Sequence, residues 1–535
     1  MAVTSVIPAT LATLPKAGIA EAQSWAAENG KWIKLILDNH DKWLNEVNVE
    51  KYQAAYDGFL DSVNLRDKAK GDDTNYKIFV NLSQLIIDVV VDYIIAKPPA
   101  WTVEDAESEI DPVTKKRKEA PIVTEYRQKL TKKLRTEQAQ RVLAEQLRQG
   151  SIACYSAVIC WVDEKGSIDF EEFPVQEVIP VYDTRGRLIM VLRKYEIEEP
   201  SETGTNTYTR VEVYDDRYIT YYRSDETGSG YVLDDAETET GNPIEHKAGR
   251  IPVSIFVNGT PARYDRRLKK AGTSDLESVF SLLDAYANGV SDKANLADYL
   301  QDQYLKLVGV DTDEKEVVKM RKARAIALKS ENSDAAFIAQ DQDDTAVENY
   351  LNRLEKLIYD TTFTPKLNDI DGATATEIKM KYSNLDIKAG KKETYFISAI
   401  NQLVAIITDL MNAEILINAG VKSPYEILSD PDAVEKRKDL YNPDWVQFTL
   451  NRNLPQNYKE IADIVSLLID KVPDSYLYEL LWFIEDPVAA LEEMRQQRED
   501  RANMAAKSSL TALGYGGEFG DTGTADNNDG EDGED

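Results

Sequence analysis

From Ser274 onward, apolar residues return at alternating four- and three-residue steps: Leu276, Phe280, Leu283, Ala287, Val290, Ala294 and Ala297. Held for about 30 residues, that 3.5-residue period predicts a helix of roughly 45 Å with a narrow apolar stripe. Asp284, Asp292, Asp298 and Asp302 lie off the stripe. Ser274, with Glu277 three residues on, reads as a capping box that starts the helix. A helix this long, with so little apolar surface, needs other helices beside it. The rest of the chain has to be organised around that requirement.

The flanking pattern is mixed. Residues 1–30 are small and Ala-rich and read as a loosely ordered arm. Trp32, Leu35, Ile36 and Trp43, then Ile78, Leu82, Leu85, Ile86 and Val89, recur at helical spacing up to about Ala96. Lys97-Pro98-Pro99 stops that helix, because a residue before proline avoids the α region. The charged stretch Glu104 to Glu119 reads as a linker, and Val123 to Gly150 as one helix capped by Gly150. The segments 151–162, 167–173, 187–198, 207–214 and 218–223 are rich in Val, Ile, Tyr and Thr, with Gly, Asp and Pro between them. They predict an antiparallel β region that closes with Arg250-Ile251-Pro252-Val253-Ser254-Ile255-Phe256-Val257-Asn258.

After the long helix comes a short α/β insert. Tyr304 to Val310 and Ala325 to Lys329 are strand-like, and Glu314 to Lys322 is helical. A second helix, about 345–361, carries Val347, Leu351, Leu354 and Ile358 in step. Pro365, Asn368, Asp369 and Gly372 break the pattern and mark a loop over 362–372. A very long helix follows from Ala375 to about Leu416, with Gly390 as a possible kink. Residues 455–505 read as a helical hairpin or small bundle, split at Val472-Pro473-Asp474-Ser475. The last 25 residues hold eight acids and no Lys or Arg, so they read as a disordered tail. The fold class this predicts is α+β, with 535 residues giving material for roughly three or four domains.

Composition narrows the chemistry. Sixty-three basic against 94 acidic residues leave a formal charge of −31, so the chain's own field does not pull it onto DNA or an anionic membrane. The two histidines, His40 and His246, sit about 200 residues apart in no motif, which argues against imidazole catalysis and multi-His metal sites. Cys154 and Cys160, six apart on one expected strand, stand roughly 20 Å from each other, too far for a disulfide. No Gly-x-x-x-x-Gly-Lys loop and no Gly-x-Ser-x-Gly elbow is present. Asp526-Asn527-Asn528-Asp529-Gly530 fails as a calcium loop, because its twelfth place lies beyond Asp535. The most apolar run, Leu85 to Ile95, is short and interrupted by Asp88 and Asp92, and Met1 to Lys16 lacks the pattern of a leader. The expectation is a soluble, intracellular protein with no catalytic residues, no metal and no cofactor. Basic residues gather in Arg127 to Arg148 and at Lys315, Lys319, Arg321, Lys322, Arg324 and Lys329. The second group reads either as a salt-bridged surface helix or as a docking patch.

Several stretches, in this order, resemble the SPP1-type family of tailed-bacteriophage portal proteins. They are Asn81 to Asp88 running on to Tyr93-Ile94-Ile95-Ala96-Lys97-Pro98-Pro99, Phe173-Pro174-Val175-Gln176-Glu177-Val178-Ile179-Pro180-Val181-Tyr182-Asp183, Arg250-Ile251-Pro252-Val253, and Ser274-Asp275-Leu276-Glu277 with Leu282-Leu283-Asp284-Ala285-Tyr286. Ala373-Thr374-Ala375-Thr376-Glu377-Ile378-Lys379-Met380-Lys381-Tyr382 and Asn453-Leu454-Pro455-Gln456 complete the set. Each is weak alone, and their shared order, spanning about 80–500, is the specific signal.

The resemblance implies a portal-type fold with a mixed α/β wing, a two-helix stem, a small α/β clip, a long kinked helix and a helical crown. Its parts are an arm (1–30), wing (31–272), stem helices (273–302 and 345–361) with the clip between them (303–344), channel loop (362–372), long helix and remaining wing (373–454), crown (455–510) and acidic tail (511–535). It further implies a homo-oligomeric ring of about twelve subunits at one capsid vertex, with a channel for double-stranded DNA. Implied partners are the terminase large subunit, head-completion or adaptor proteins, and the major capsid and scaffolding proteins, with no membrane. The implied location is the virion, after assembly in the host cytoplasm. Stem packing between copies falls to Leu276, Phe280, Leu283, Ala287 and Val290, and docking at the clip to Lys315, Lys319, Arg321, Lys322 and Arg324. The channel loop carries Pro365, Lys366, Leu367, Asn368 and Asp369, with less glycine at Asp369-Ile370-Asp371-Gly372 than the family pattern. Lys366 is a candidate contact for either DNA or a neighbouring subunit. A strongly acidic wall suits a conduit, since adhesion to DNA scales with the phosphates neutralised. The alternative is a capsid- or tail-associated structural protein without a channel, and a third class is a metal-dependent nuclease.

Overall fold

The computed structural model describes residues 19–67, 75–105, 120–183, 185–201, 204–225, 230–234, 241–259, 272–301, 304–308, 334–338, 344–366, 375–429 and 439–452, with short pieces near 313–319 and between 465 and 501. The chain divides into two units, Met1–Leu454 and Pro455–Asp535. In the second, the described residues include helical turns at 465–468 and 493–498.

The first unit opens with α1 (Ile19–Val47), α2 (Val49–Tyr56), α3 (Asp61–Asn64) and α4 (Leu82–Ile95). Asn48, at φ 60°, turns the chain between α1 and α2, a conformation asparagine tolerates better than most residues. The Asn81 side chain caps α4 by accepting from the Gln84 amide at 3.0 Å. The expected arm is corrected in part: residues 19–30 are helical and Ala26 is fully buried, while 1–18 lie outside the described residues. Alanine is a strong helix former, and its small side chain still packs when a sheet lies close.

After β1 (Ala100–Val103) come α5 (Pro121–Leu134) and α6 (Glu137–Ala153). The single helix expected over 123–150 is therefore two. Pro121 begins the first, and Thr136 caps the second by accepting from the Ala139 amide at 3.2 Å. Gly150 is not a cap; it lies inside α6, which ends at Cys154 with φ 78°. Cys154 thus precedes the strand instead of sharing a face with Cys160. Both cysteines are buried free thiols.

Two antiparallel sheets follow. Strands β2 (Tyr155–Val162), β3 (Ile168–Phe173) and, from later in the chain, β10 (Val253–Val257) form the first, in the order β10-β2-β3. Its centre, Tyr155 to Cys160, is buried at every position, as expected for a strand covered on both faces. The second sheet comprises β4 (Val178–Tyr182), β5 (Leu188–Ser201), β6 (Gly204–Tyr214), β7 (Tyr218–Ser224) and β8 (Tyr231–Leu233), with β9 (Ile244–Glu245) on β7. Ala26, Ile33, Ile36 and Leu37 of α1 pack against Ile179, Val181, Leu192 and Val211 of this sheet as a core of their own.

Then come α7 (Phe280–Gln301), β11 (Tyr304–Val308), β12 (Asp334–Ile338), α8 (Asp344–Thr362), α9 (Ala375–Asn418), α10 (Tyr425–Leu428) and β13 (Val446–Thr449). β11 and β12 pair antiparallel from Tyr304↔Ile338 to Val308↔Asp334. β12 was not anticipated, and the strand expected at Ala325 to Lys329 lies outside the described residues, as does the acidic tail 511–535. α9 is α-helical straight through Gly390, with no break there. Its stretch Met380–Asn418 is long and apolar enough to cross a bilayer, but 72% of the apolar window is buried inside the chain, the pattern of a core helix. Arg250 donates to Asp409 at 2.5 Å and Ser254 Oγ to the Ala399 carbonyl at 2.7 Å, holding α9 along β10.

The expectation for the α7 stripe is corrected in two ways. First, the helix begins at Phe280, and Ser274 Oγ accepts from the Leu276 amide at 3.2 Å in a preceding turn. Second, Leu276, Phe280, Leu283 and Ala287 are buried in the main core of their own chain, and Val290 is half-buried. An α-helix drifts by about 20° per heptad against a 3.5 period. The buried line accordingly moves from Leu283 and Ala287 to Ser291 and Asn295, leaving Ala297 exposed. Both polar residues bond the chain near 76–78: Ser291 Oγ accepts from the Ile78 amide (3.0 Å) and Asn295 Oδ1 from the Tyr76 amide (2.7 Å).

Candidate functional site

The functional candidate is the helical pair α7 and α8 and the joint where it meets the body. The two helices run antiparallel. Lys293 pairs with Glu348, and Gly289 faces Leu351, where a Cβ would stand only 2.7 Å from Leu351 Cδ2. A side chain there would have to displace the end of Leu351, so glycine lets the two helices approach closely. Leu351, Leu354 and Ile358 of α8 are buried. A second line on α8, Ala346, Tyr350, Arg353 and Leu357, is exposed, with Tyr350 at 53% and Leu357 at 41%. Its spacing is again four and three. The same spacing is present in the sequence, offset by one residue from Val347, Leu351, Leu354 and Ile358.

At its end α8 stops on Phe363, held in the left-handed region at φ 58°. The Thr364 amide closes the turn on the Tyr359 carbonyl at 3.2 Å, and Thr362 Oγ donates to the Ile358 carbonyl at 2.7 Å. Pro365 is buried. Lys366 reaches back to Glu355 at 2.9 Å and lies 5.7 Å above the Tyr359 ring. Within the single chain it therefore pairs with the preceding helix. Leu367, Asn368 and Asp369 lie outside the described residues.

Of the expected docking residues, Lys315 and Lys319 are exposed, while Arg321, Lys322 and Arg324 lie outside the described residues.

The joint is built from residues that sequence reasoning passed over. Asp275, in the turn before α7, receives Lys392 (2.9 Å) and Lys388 (3.2 Å) of α9 on Oδ2, and Asn258 Nδ2 (3.0 Å) on Oδ1. Burial alone would raise the Asp275 pKa, but the two ammonium groups and the Asn258 hydrogen bond hold it well below the usual carboxylate range. Burial pulls Lys392 down to about 8, against the attraction of Asp275. Lys392 also donates to Ser151 Oγ (2.7 Å), and Lys388 to the Thr362 carbonyl (3.2 Å). These partners come from α6, the residue after β10, α8 and α9, up to 241 positions apart, so no local motif announces them.

Among the described residues no group of three or more His, Cys, Asp or Glu is placed to hold a metal. Burial drops both histidines to about 4, so both are neutral at pH 7. His40 bonds the Val175 carbonyl at 2.8 Å and His246 the Asp215 carbonyl at 3.0 Å.

Comparison with known proteins decides the family. Residues 33–504 match the family described as "Phage portal protein, SPP1 Gp6-like". This chain belongs to that portal family. The portal protein of Bacillus phage SPP1 is 25% identical over 248 residues, which are 44% of this chain and 46% of that protein. The alignment therefore spans about half the length of this curated relative. The family is a structural one, and its match runs through both sheets, α7, α8 and α9.

Proposed function

We propose that this chain is the portal of a phage capsid: about twelve copies close into a ring at one vertex and pass double-stranded DNA during packaging and ejection. Family membership supports the reading, and the exposed stripe on α8 is the structural observation that carries it. Tyr350, Arg353 and Leu357 give a helix that is already packed on one side a second line for a neighbouring copy. That line takes over the contact role expected of Leu283 and its neighbours.

In this reading the α7–α8 pair is the stem, the segment between the two helices is the clip for the terminase large subunit and later for head-completion proteins, and the wing meets major capsid and scaffolding proteins. Residues after Thr362 form the channel loop. About twelve chains bring roughly −370 formal charges, a wall along which a polyanion slides without adhering. The chain itself hydrolyses nothing, and force for packaging comes from the separate terminase. Native mass spectrometry and negative-stain imaging of the purified chain test this. A closed ring with a central hole is expected. A lone chain under all conditions, including extraction from particles, overturns it, and a particle-bound protein without a hole favours a channel-free capsid or tail component.

A further inference from the structure

At the joint, a single carboxylate receives two ammonium groups. Two lysines converge on one carboxylate oxygen, with side-chain exposures of 17% for Lys388, 4% for Lys392 and 9% for Asp275. One lysine would balance the carboxylate. Lys392 is buried and Lys388 half-buried, so the second ammonium gives up part of its hydration, which a neutral side chain would not need. The expense is local, so the compensation has to be sought in what the extra cation grips.

Each lysine grips something different. Lys392 ties Asp275 to Ser151 near the end of α6, and the Asp275 amide donates to the Ser151 carbonyl at 2.9 Å. Lys388 ties the same carboxylate to the carbonyl of Thr362, the last residue of α8, whose following residue carries the left-handed backbone. Asn258, beyond β10, holds the other carboxylate oxygen and also donates to the Thr273 carbonyl at 2.7 Å. The turn into α7 and the last residue of α8 are thereby fastened to a single turn of α9.

We propose that Asp275, Lys388 and Lys392 form a clasp that makes the start of α7 and the end of α8 move as one with α9, with Lys388 the positioning residue for the chain leaving α8. The clasp is a property of the single chain. Only the label "channel loop" for that departing chain rests on the portal reading. Motion of the segment after Phe363 is transmitted through Lys388 to the turn into α7, and displacement of α7 returns by the same path.

Hydrogen exchange of the full chain, read by mass spectrometry, tests the coupling. Asp275 pairs with Lys388 and Lys392, and Asp275→Asn is expected to speed exchange of the Thr364 amide by about tenfold, because it releases Lys388. Lys388→Met does the same, and Lys388→Arg restores most of the protection, while amides in β5 and β6 keep wild-type rates. If Asp275→Asn does not fold, the Lys388 pair carries the test alone. Wild-type exchange at Thr364 in Lys388→Met, or acceleration confined to residues beside each substitution, overturns the clasp. Native mass measured on the same samples reports ring formation independently, so failure of the portal reading and failure of the clasp are separable.

Discussion

Gly150 of α6 meets the ring of Phe256 of β10 so closely that a Cβ at position 150 would stand 2.3 Å from Phe256 Cδ1. Phe256 is fully buried and sits edge-on to Phe396 of α9, with ring centroids 5.4 Å apart, so it has no room to swing away. Gly150→Ala therefore sets two effects against each other. Helix propensity favours alanine by about 1 kcal/mol, and overpacking costs up to about 3 kcal/mol. The clash wins, and denaturant unfolding should show a net loss of about 2 kcal/mol. A variant as stable as wild type would mean that β10 and α6 slide apart easily.

Two leucines on the helical pair should behave in opposite ways. Leu283 is 3% exposed in the core, so Leu283→Asp buries an unpaired carboxylate and should cost about 4 kcal/mol, with loss of soluble folded chain. Leu357, at 41% exposure, accepts Asp within about 0.5 kcal/mol, yet that variant should fail to form rings. Thermal melts with light scattering distinguish the two. Normal rings from Leu357→Asp would remove the α8 stripe from the interface.

His40 predicts a defined pH response. Its folded pKa of about 4 lies below the usual 6.5, because burial opposes the charged ring, while its bond to the Val175 carbonyl favours it. The folded state thus binds fewer protons than the unfolded chain between those values. Its stabilising contribution is complete above pH 6.5 and fades as the pH falls toward 4, by about 3 kcal/mol in all. Asp215 and Glu172, raised by burial to about 7 and 8, act in the opposite direction, so only a difference measurement is clean. The stability of wild type minus that of His40→Phe should shrink between pH 7 and pH 4.5. A pH-independent difference would refute the assignment.

Arg210 and Asp234 form an ion pair of 2.6 Å with side chains 2% and 1% exposed. Arg210→Met takes the guanidinium from a buried carboxylate and should cost about 3 to 5 kcal/mol. Replacing both with apolar residues of similar volume should recover most of that loss. Urea titrations of the single and double variants measure the recovery.

Local signals reached the sheets and the helical pair more readily than the joint between them. Alternating Val, Ile and Tyr located β5, β6 and β7 to within a few residues, because each strand is read from its own pleat. The break between α5 and α6 escaped because Arg135-Thr136 carries neither Gly nor Pro, and a threonine cap looks like an ordinary surface residue until its partner amide is seen. Leu276, Phe280, Leu283 and Ala287 were recognised as a stripe, but periodicity does not say whose surface covers it. The Asp275 cluster was invisible because its members are scattered from Ser151 to Lys392 and no two belong to a motif.

β1 has its pairing partner very far along the chain: Ala100 lies opposite Thr449 and Val103 opposite Val446. A ribosome adding roughly 5 to 20 residues per second needs about 20 to 70 seconds to travel from one strand to the other. Throughout that interval the earlier strand carries an open hydrogen-bonding edge on a nascent polypeptide, the kind of surface that recruits stray strands. Translation speed and chaperone cover over the middle of the message therefore bear directly on how much of this protein reaches its finished state.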